Sequence, residues 1–146
     1  MPHSCVGIFC EDIREEVIGS HTIVGVMPDN INLAGPVTKA GESLLFPKMG
    51  MYVRVNLDSS QRPKAAVSVR TIFPGIPDVP LGEVALDVIA KAFDDASDKA
   101  SPLVGLIFKA VVSPMQFTTA GMAFIIVTID DTEYVAAALN IQLPQT

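Results

Sequence analysis

Residues 49–58 read Met-Gly-Met-Tyr-Val-Arg-Val-Asn-Leu-Asp, and this stretch decides the fold class. Its apolar side chains stand at every second position and alternate with small, polar or amphipathic ones. A period of two is typical of a β-strand with one buried and one solvated face, as in antiparallel sheets. Ser-Ser-Gln-Arg-Pro at 59–63 predicts a turn, and the alternation over 65–73 predicts a strand that returns beside the first.

Further segments on both sides of this pair have strand length and are rich in β-branched or alternating apolar residues. Turn signals such as Gly19-Ser20 and the polar run 130–133 separate them. The additional expected strands are 5–13, 21–27, 103–112, 122–129 and 134–143.

A single segment, 83–99, has apolar side chains at helical spacing, and Ser101-Pro102 ends it. The three prolines within 74–80 predict a stiff, extended link before the helix, which cannot be a central strand. About seven strands separated by turns predict a mainly β fold. We therefore expect a single antiparallel β-sandwich domain spanning 1–146, with one inserted helix over about 83–100 that covers an open end or edge.

The composition excludes intrinsic disorder, because 49% of the residues are hydrophobic and only 18% are charged. The chain carries 10 basic and 16 acidic residues and a net charge of -6. Proteins that bind nucleic acids more often have a basic excess. The expected partners are therefore proteins, either further copies of this chain or other subunits, rather than nucleic acids.

The high mean hydropathy of +0.43 makes a membrane span a hypothesis to test. Between Pro102 and Thr128 the only charged residue is Lys109. Polar and helix-breaking residues at 113–116 and 118–121 interrupt this stretch, whereas a span needs about 20 mostly apolar residues. Two strands therefore fit the stretch better than one membrane helix.

The two cysteines, Cys5 and Cys10, bear on the compartment. On one extended strand their five-residue separation corresponds to roughly 16 Å, which is too far for a disulfide. Two free thiols are typical of a reducing cytoplasm. Residues 1–4 lack the basic region and apolar run of a signal peptide. We expect a cytoplasmic protein, or part of a particle assembled in the cytoplasm.

No phosphate-binding glycine loop, dinucleotide-binding fingerprint or serine-nucleophile elbow occurs in the sequence. Cys10 and His21 are one conceivable nucleophile pair. The acidic residues Glu11 and Asp12 beside Cys10 are expected to raise the pKa of its thiol, which disfavours catalysis. A buried structural cysteine is the favoured interpretation.

Acidic residues raise two metal hypotheses. Asp87, Asp94 and Asp98 share a helix face by spacing, but they lack the alternating oxygen-ligand spacing of a calcium loop. The run 130–133 loosely resembles the calcium-binding tips of some sandwiches, although a polar turn is the simpler interpretation. We expect no catalytic, cofactor-binding or metal-binding residues, and no cofactor.

The opening of the chain resembles a known family. Ile8-Phe9-Cys10-Glu11-Asp12, followed by His21-Thr22-Ile23-Val24-Gly25, is similar to an uncharacterised family of small bacterial β-sandwich proteins. The similarity continues through Met51-Tyr52-Val53-Arg54-Val55 toward the C-terminal hairpin. The resemblance implies a β-sandwich and assigns no activity.

The absence of a recognisable reactive set predicts a non-catalytic structural or protein-interaction module. High apolar content with few charges favours a subunit of a homo-oligomer or of a larger assembly, such as a phage-like particle. Three consecutive large apolar residues in the long connection 28–47, namely Leu44, Leu45 and Phe46, are the expected interface. Two alternatives stay open: a ligand pocket between the sheets or under the helix, and an enzyme built around Arg54, Arg70 and an acidic partner.

Overall fold

The computed structural model describes residues 3–32, 44–46 and 48–143, with the backbone alone at 32 and 44–46. In these ranges two β-sheets pack face to face, and a short third sheet and one helix complete the fold. This architecture confirms the predicted antiparallel β-sandwich with one inserted helix. The strands are β1 (Ser4–Glu15), β2 (His21–Val26), β3 (Asn30–Asn32), β4 (Leu44–Phe46), β5 (Met49–Asp58), β6 (Val67–Phe73), β7 (Ile76–Val84), β8 (Leu103–Val112), β9 (Met115–Phe117), β10 (Gly121–Ile129) and β11 (Thr132–Gln142), and the helix is α1 (Leu86–Asp98).

The four-stranded sheet has the order β2-β1-β5-β8, and the five-stranded sheet has the order β3-β11-β10-β6-β7. Neighbouring strands are antiparallel except for β3 and β11, which are parallel. The short third sheet pairs β4 with β9. The inner strands are therefore β1 and β5 in the four-stranded sheet, and β11, β10 and β6 in the five-stranded sheet.

Alternation along the strands places the core between the two large sheets. Met51, Val53 and Val55 on β5 are fully buried, and Val69 and Ile125 face them from the other sheet. Each such aliphatic side chain contributes about 1.5–3 kcal/mol when it leaves water. Intervening β5 side chains, among them Tyr52 and Arg54, therefore point to the outer face of the four-stranded sheet.

The sheets come close together along both sides of the sandwich. On one side β1 crosses β11, and a Cβ atom added at Gly7 would lie 3.1 Å from Ala137 Cβ and 3.2 Å from Ala136 Cβ. At this crossing the pairing of β10 with β11 shifts register between Ile125 and Ile126. On the other side, Phe108 of β8 packs against Gly82 of β7.

The segment 74–80 does not form a central strand, as expected, but from Ile76 onward it forms the edge strand β7 rather than a link. Pro77 and Pro80 are tolerated since β7 lies at the edge of its sheet, where a strand needs hydrogen bonds on one side only. The helix consequently starts at Leu86 rather than at 83, since β7 runs to Val84.

Helix α1 connects β7 of one sheet to β8 of the other. Ile89, Phe93 and Ala96 are its buried residues, at the i, i+4 and i+7 positions of one face. Within the described ranges no helix has the length and apolar character that a membrane span requires. The apolar stretch after Pro102 forms strands, as expected, with β8 and β10 in different sheets.

The connection 28–47 contains two strands that its sequence pattern does not predict. β3 pairs with Asn140–Gln142 of β11, and β4 pairs with β9. Strands of three residues are too short to show a period. Leu44, Leu45 and Phe46 form β4, and the predicted interface role of their side chains lies outside the described part of the chain.

Candidate functional site

A hairpin arm, residues 11–26, continues β1 and β2 past the stretch where β1 pairs with β5. Ser4 to Cys10 of β1 pair with β5, and the second half of β1 pairs with β2. The arm bends where they meet, because Gly25 has a φ of 66° and the Glu11 carboxylate occupies the space that a Cβ atom at Gly25 would need.

The bend places the arm over the outer face of the four-stranded sheet. A Cβ atom added at Gly50 would lie 2.7 Å from Cys10 Sγ and 3.4 Å from Ile13 Cγ1, so both side chains cover this glycine. Cys10 is fully buried there, and burial raises the pKa of its thiol to about 11. The strand stem of the arm is therefore packed on the sheet rather than projecting freely from it.

A polar contact fastens the arm to β8. The Lys109 ammonium donates to a carboxylate oxygen of Glu15 and lies with Nζ 3.1 Å from His21 Nε2. Because an ammonium group only donates, the facing His21 nitrogen accepts in this contact. The His21 ring also packs against Tyr52, with 5.7 Å between ring centroids. Residues of β1, β2, β5 and β8 thus converge beside the base of the arm.

The tip of the arm is a tight turn with an apolar surface. The Gly19 N–H donates to the Glu16 carbonyl (3.0 Å), and the Glu16 N–H donates to the Ser20 carbonyl (2.8 Å). Gly19 has a φ of 84°, which fits a type I turn closed by a left-handed residue. The two central turn residues are Val17, 103% exposed, and Ile18, 89% exposed.

Two small clefts adjoin the arm. One, of about 290 Å³, lies under it between Ile13 and the β8 residues 109–111. The other, of about 280 Å³, lies where residues 26–29 cross from β2 to β3, against Ala136–Ala138. Ligand pockets usually have volumes of about 300–1,000 Å³. Both clefts are thus slightly smaller than that range, and the ligand-binding alternative stays a hypothesis.

The acidic residues considered as metal ligands have structural contacts. Asp130 and Asp131 have φ values of 48° and 65° in the turn between β10 and β11. Asp130 Oδ1 accepts hydrogen bonds from the N–H groups of Lys64 (2.8 Å) and Ala65 (3.1 Å). Asp94 pairs with Arg62 at 2.7 Å. Across the described residues no cluster of three or more metal-ligating side chains occurs.

The other residues considered for catalysis, namely Arg54, Arg70, Cys10 and His21, lie apart from one another. Arg70, on the five-stranded sheet, contacts Asp78 (3.0 Å) and Glu133 (2.8 Å). Arg54 lies on the other sheet and donates to Asn56 Oδ1 at 3.2 Å. Cys10 packs on Gly50, whereas the His21 ring packs on Tyr52.

Sequence reasoning missed the arm tip as a candidate surface. The run 14–20 predicts a turn correctly, but it does not show whether the apolar turn residues are covered. The available signal was the pair Val17-Ile18 at turn positions that glycine, proline, asparagine, aspartate and serine usually occupy. Comparisons with protein-family models, curated proteins and solved structures found no match for this chain.

Proposed function

We propose that this protein is a non-catalytic protein-interaction module, a subunit of a homo-oligomer or of a larger assembly, which binds through its hairpin arm. The observation that carries the proposal is the nearly complete exposure of Val17 and Ile18 in a well-defined turn. Exposed apolar clusters on loops held by a rigid scaffold commonly mark interaction sites.

The energetics favour a binding role for the tip. Burying Val17 and Ile18 against a partner contributes roughly 1.5–3 kcal/mol for each side chain. The turn hydrogen bonds and the contact between Lys109 and Glu15 already order the arm. A partner therefore meets a preorganised element, and less conformational entropy is lost on binding.

Further exposed apolar side chains extend this surface along the same sheet. Val6 of β1 is 59% exposed and lies in register with Arg54, which in turn lies opposite Ile107 of β8. Val111 is exposed farther along β8, and Val26 ends the arm at the sheet edge. The outer face thus has exposed apolar side chains on both sides of Arg54, and arginine is enriched at protein interfaces.

The test compares the unmodified protein with a Val17→Ser/Ile18→Ser variant. Val88→Ser on α1 is the matched control, since Val88 is also exposed, at 55%. Self-association is measured by sedimentation velocity, and partner recovery by affinity capture from the cells that produce the protein. We expect the tip variant to lose one or both interactions at an unchanged melting temperature. Equal association and equal recovery in all three proteins would refute the proposal.

A further inference from the structure

The outer edge of β2 leaves backbone hydrogen-bonding groups available. β2 ends the four-stranded sheet, and among the described strands only β1 pairs with it. The Ile13 N–H donates to the side chain of Asp12 (2.9 Å) rather than to β2, which marks Ile13 and Ile23 as a non-hydrogen-bonded pair. By strand alternation, Ile23 and His21 direct their backbone N–H and C=O groups away from β1.

This edge lacks the features that usually prevent strand addition. Residues 21–26, His-Thr-Ile-Val-Gly-Val, contain no proline, lysine or acidic residue and include four β-branched side chains. The edge strand β7 has prolines at 77 and 80, and β3 has only three residues. Exposed edges without such protection are templates for pairing with another chain.

We infer that β2 pairs antiparallel with β2 of a second copy, with Ile23 opposite Ile23, so that two four-stranded sheets become one eight-stranded sheet. This inference rests on the proposed function, since it names the partner of the same arm. A twofold axis through Ile23 places His21 opposite Gly25, beside the Glu11 carboxylate that covers this glycine, and Thr22 opposite Val24. Every cross-strand contact other than Ile23–Ile23 on the axis then occurs twice, as a twofold-symmetric interface requires.

The same register covers an apolar group that the isolated chain exposes. Counting outward from Ile23, Ser20 lies opposite Val26, which is 62% exposed. One arrangement thus pairs the open backbone edge and covers Val26 in both copies, which favours a second copy over an unrelated strand.

Charge sets the salt dependence of this pairing. Each copy has a net charge of -6, so two copies repel each other at low salt. Like charges repel less when salt screens them. We therefore expect the dimer fraction to rise as salt concentration rises.

Cysteine cross-linking tests the register directly. In an Ile23→Cys variant the two introduced cysteines face each other across the axis, with Cα atoms about 5.5 Å apart, a separation that a disulfide can bridge. Val135→Cys on β11 is the matched control, because Val135 is also an exposed strand residue, at 61%. We expect a disulfide-linked dimer after mild oxidation of Ile23→Cys, and none from Val135→Cys or the unmodified protein.

An Ile23→Pro variant supplies the second measurement, because it removes an N–H that faces the second copy rather than β1. Sedimentation velocity should show a weaker dimer while circular dichroism shows an unchanged β content. A monomeric unmodified protein, or equal cross-linking of both cysteine variants, overturns the inference. If the unmodified protein is monomeric but captures a partner through Val17 and Ile18, the inference is wrong and the proposed function stands.

Discussion

Replacing Gly7 with valine probes how closely the two sheets approach where β1 crosses β11. A Cβ atom at this position would lie 3.1 Å from Ala137 Cβ, 3.2 Å from Ala136 Cβ and 3.2 Å from Ile125 Cδ1. Contacts this short require all three neighbours to move, and valine adds two further methyl groups at the same place. Overpacking of this kind costs about 1–3 kcal/mol.

The cost should appear as a lower midpoint of urea unfolding and as a melting temperature lower by about 2–4 °C for each kcal/mol. Gly105→Val on β8 is the matched control, because its added Cβ meets only the flexible end of Arg54, 3.1 Å away. The control should leave stability unchanged or raise it slightly, as a β-branched residue suits a strand. Equal unfolding midpoints for Gly7→Val and the unmodified protein would show that the close approach of the sheets is wrong.

Three further predictions concern individual side chains. Burial raises the pKa of Cys10 from its ordinary 9.0 to about 11, so the thiol loses its proton at a lower pH in the unfolded chain than in the folded protein. The free energy of unfolding should therefore fall as the pH rises from 9 to 11, and it should fall less in Cys10→Ala. Parallel pH slopes for the two proteins in urea titrations would contradict this. Asp130→Ala should cost about 0.5–1.5 kcal/mol, because it removes the acceptor of the Lys64 and Ala65 N–H groups and places alanine at a φ of 48°, whereas Asp130→Asn should cost less; thermal unfolding distinguishes them. Lys109→Met should lower stability by less than about 1 kcal/mol yet speed amide hydrogen exchange in the arm, and unchanged exchange would mean that the ion pair does not hold the arm.

Strong alternation let the sequence predict the main strands well. β5 begins and ends where its alternation predicts, because its fully buried face imposes a period of two, and β8 begins and ends where its length and β-branched content predict. β7 was missed because Pro77 and Pro80 argue against a central strand, and an edge position was not evident without the neighbouring strands. β3 and β4 are too short for any periodic signal.

The candidate site depends on tertiary geometry that no local pattern encodes. The sequence of the arm predicts two strands and a turn, but the bend at Glu11 and Gly25 decides that its stem lies on the outer face of the sheet. Exposure of Val17 and Ile18 likewise depends on whether another part of the chain covers them. Alternation in the sequence identifies which residues share a face of a strand, but only the packed structure shows which faces are exposed to solvent.

The prolines of β7 also limit how large an assembly built by strand pairing can grow. A strand added beyond β7 would find no N–H donor at Pro77 or Pro80, two of its nine residues. At the opposite end of the same sheet, β3 provides only three residues. The five-stranded sheet therefore has no edge that suits strand addition. Growth by strand pairing is confined to the four-stranded sheet, whose edges are β2 and β8.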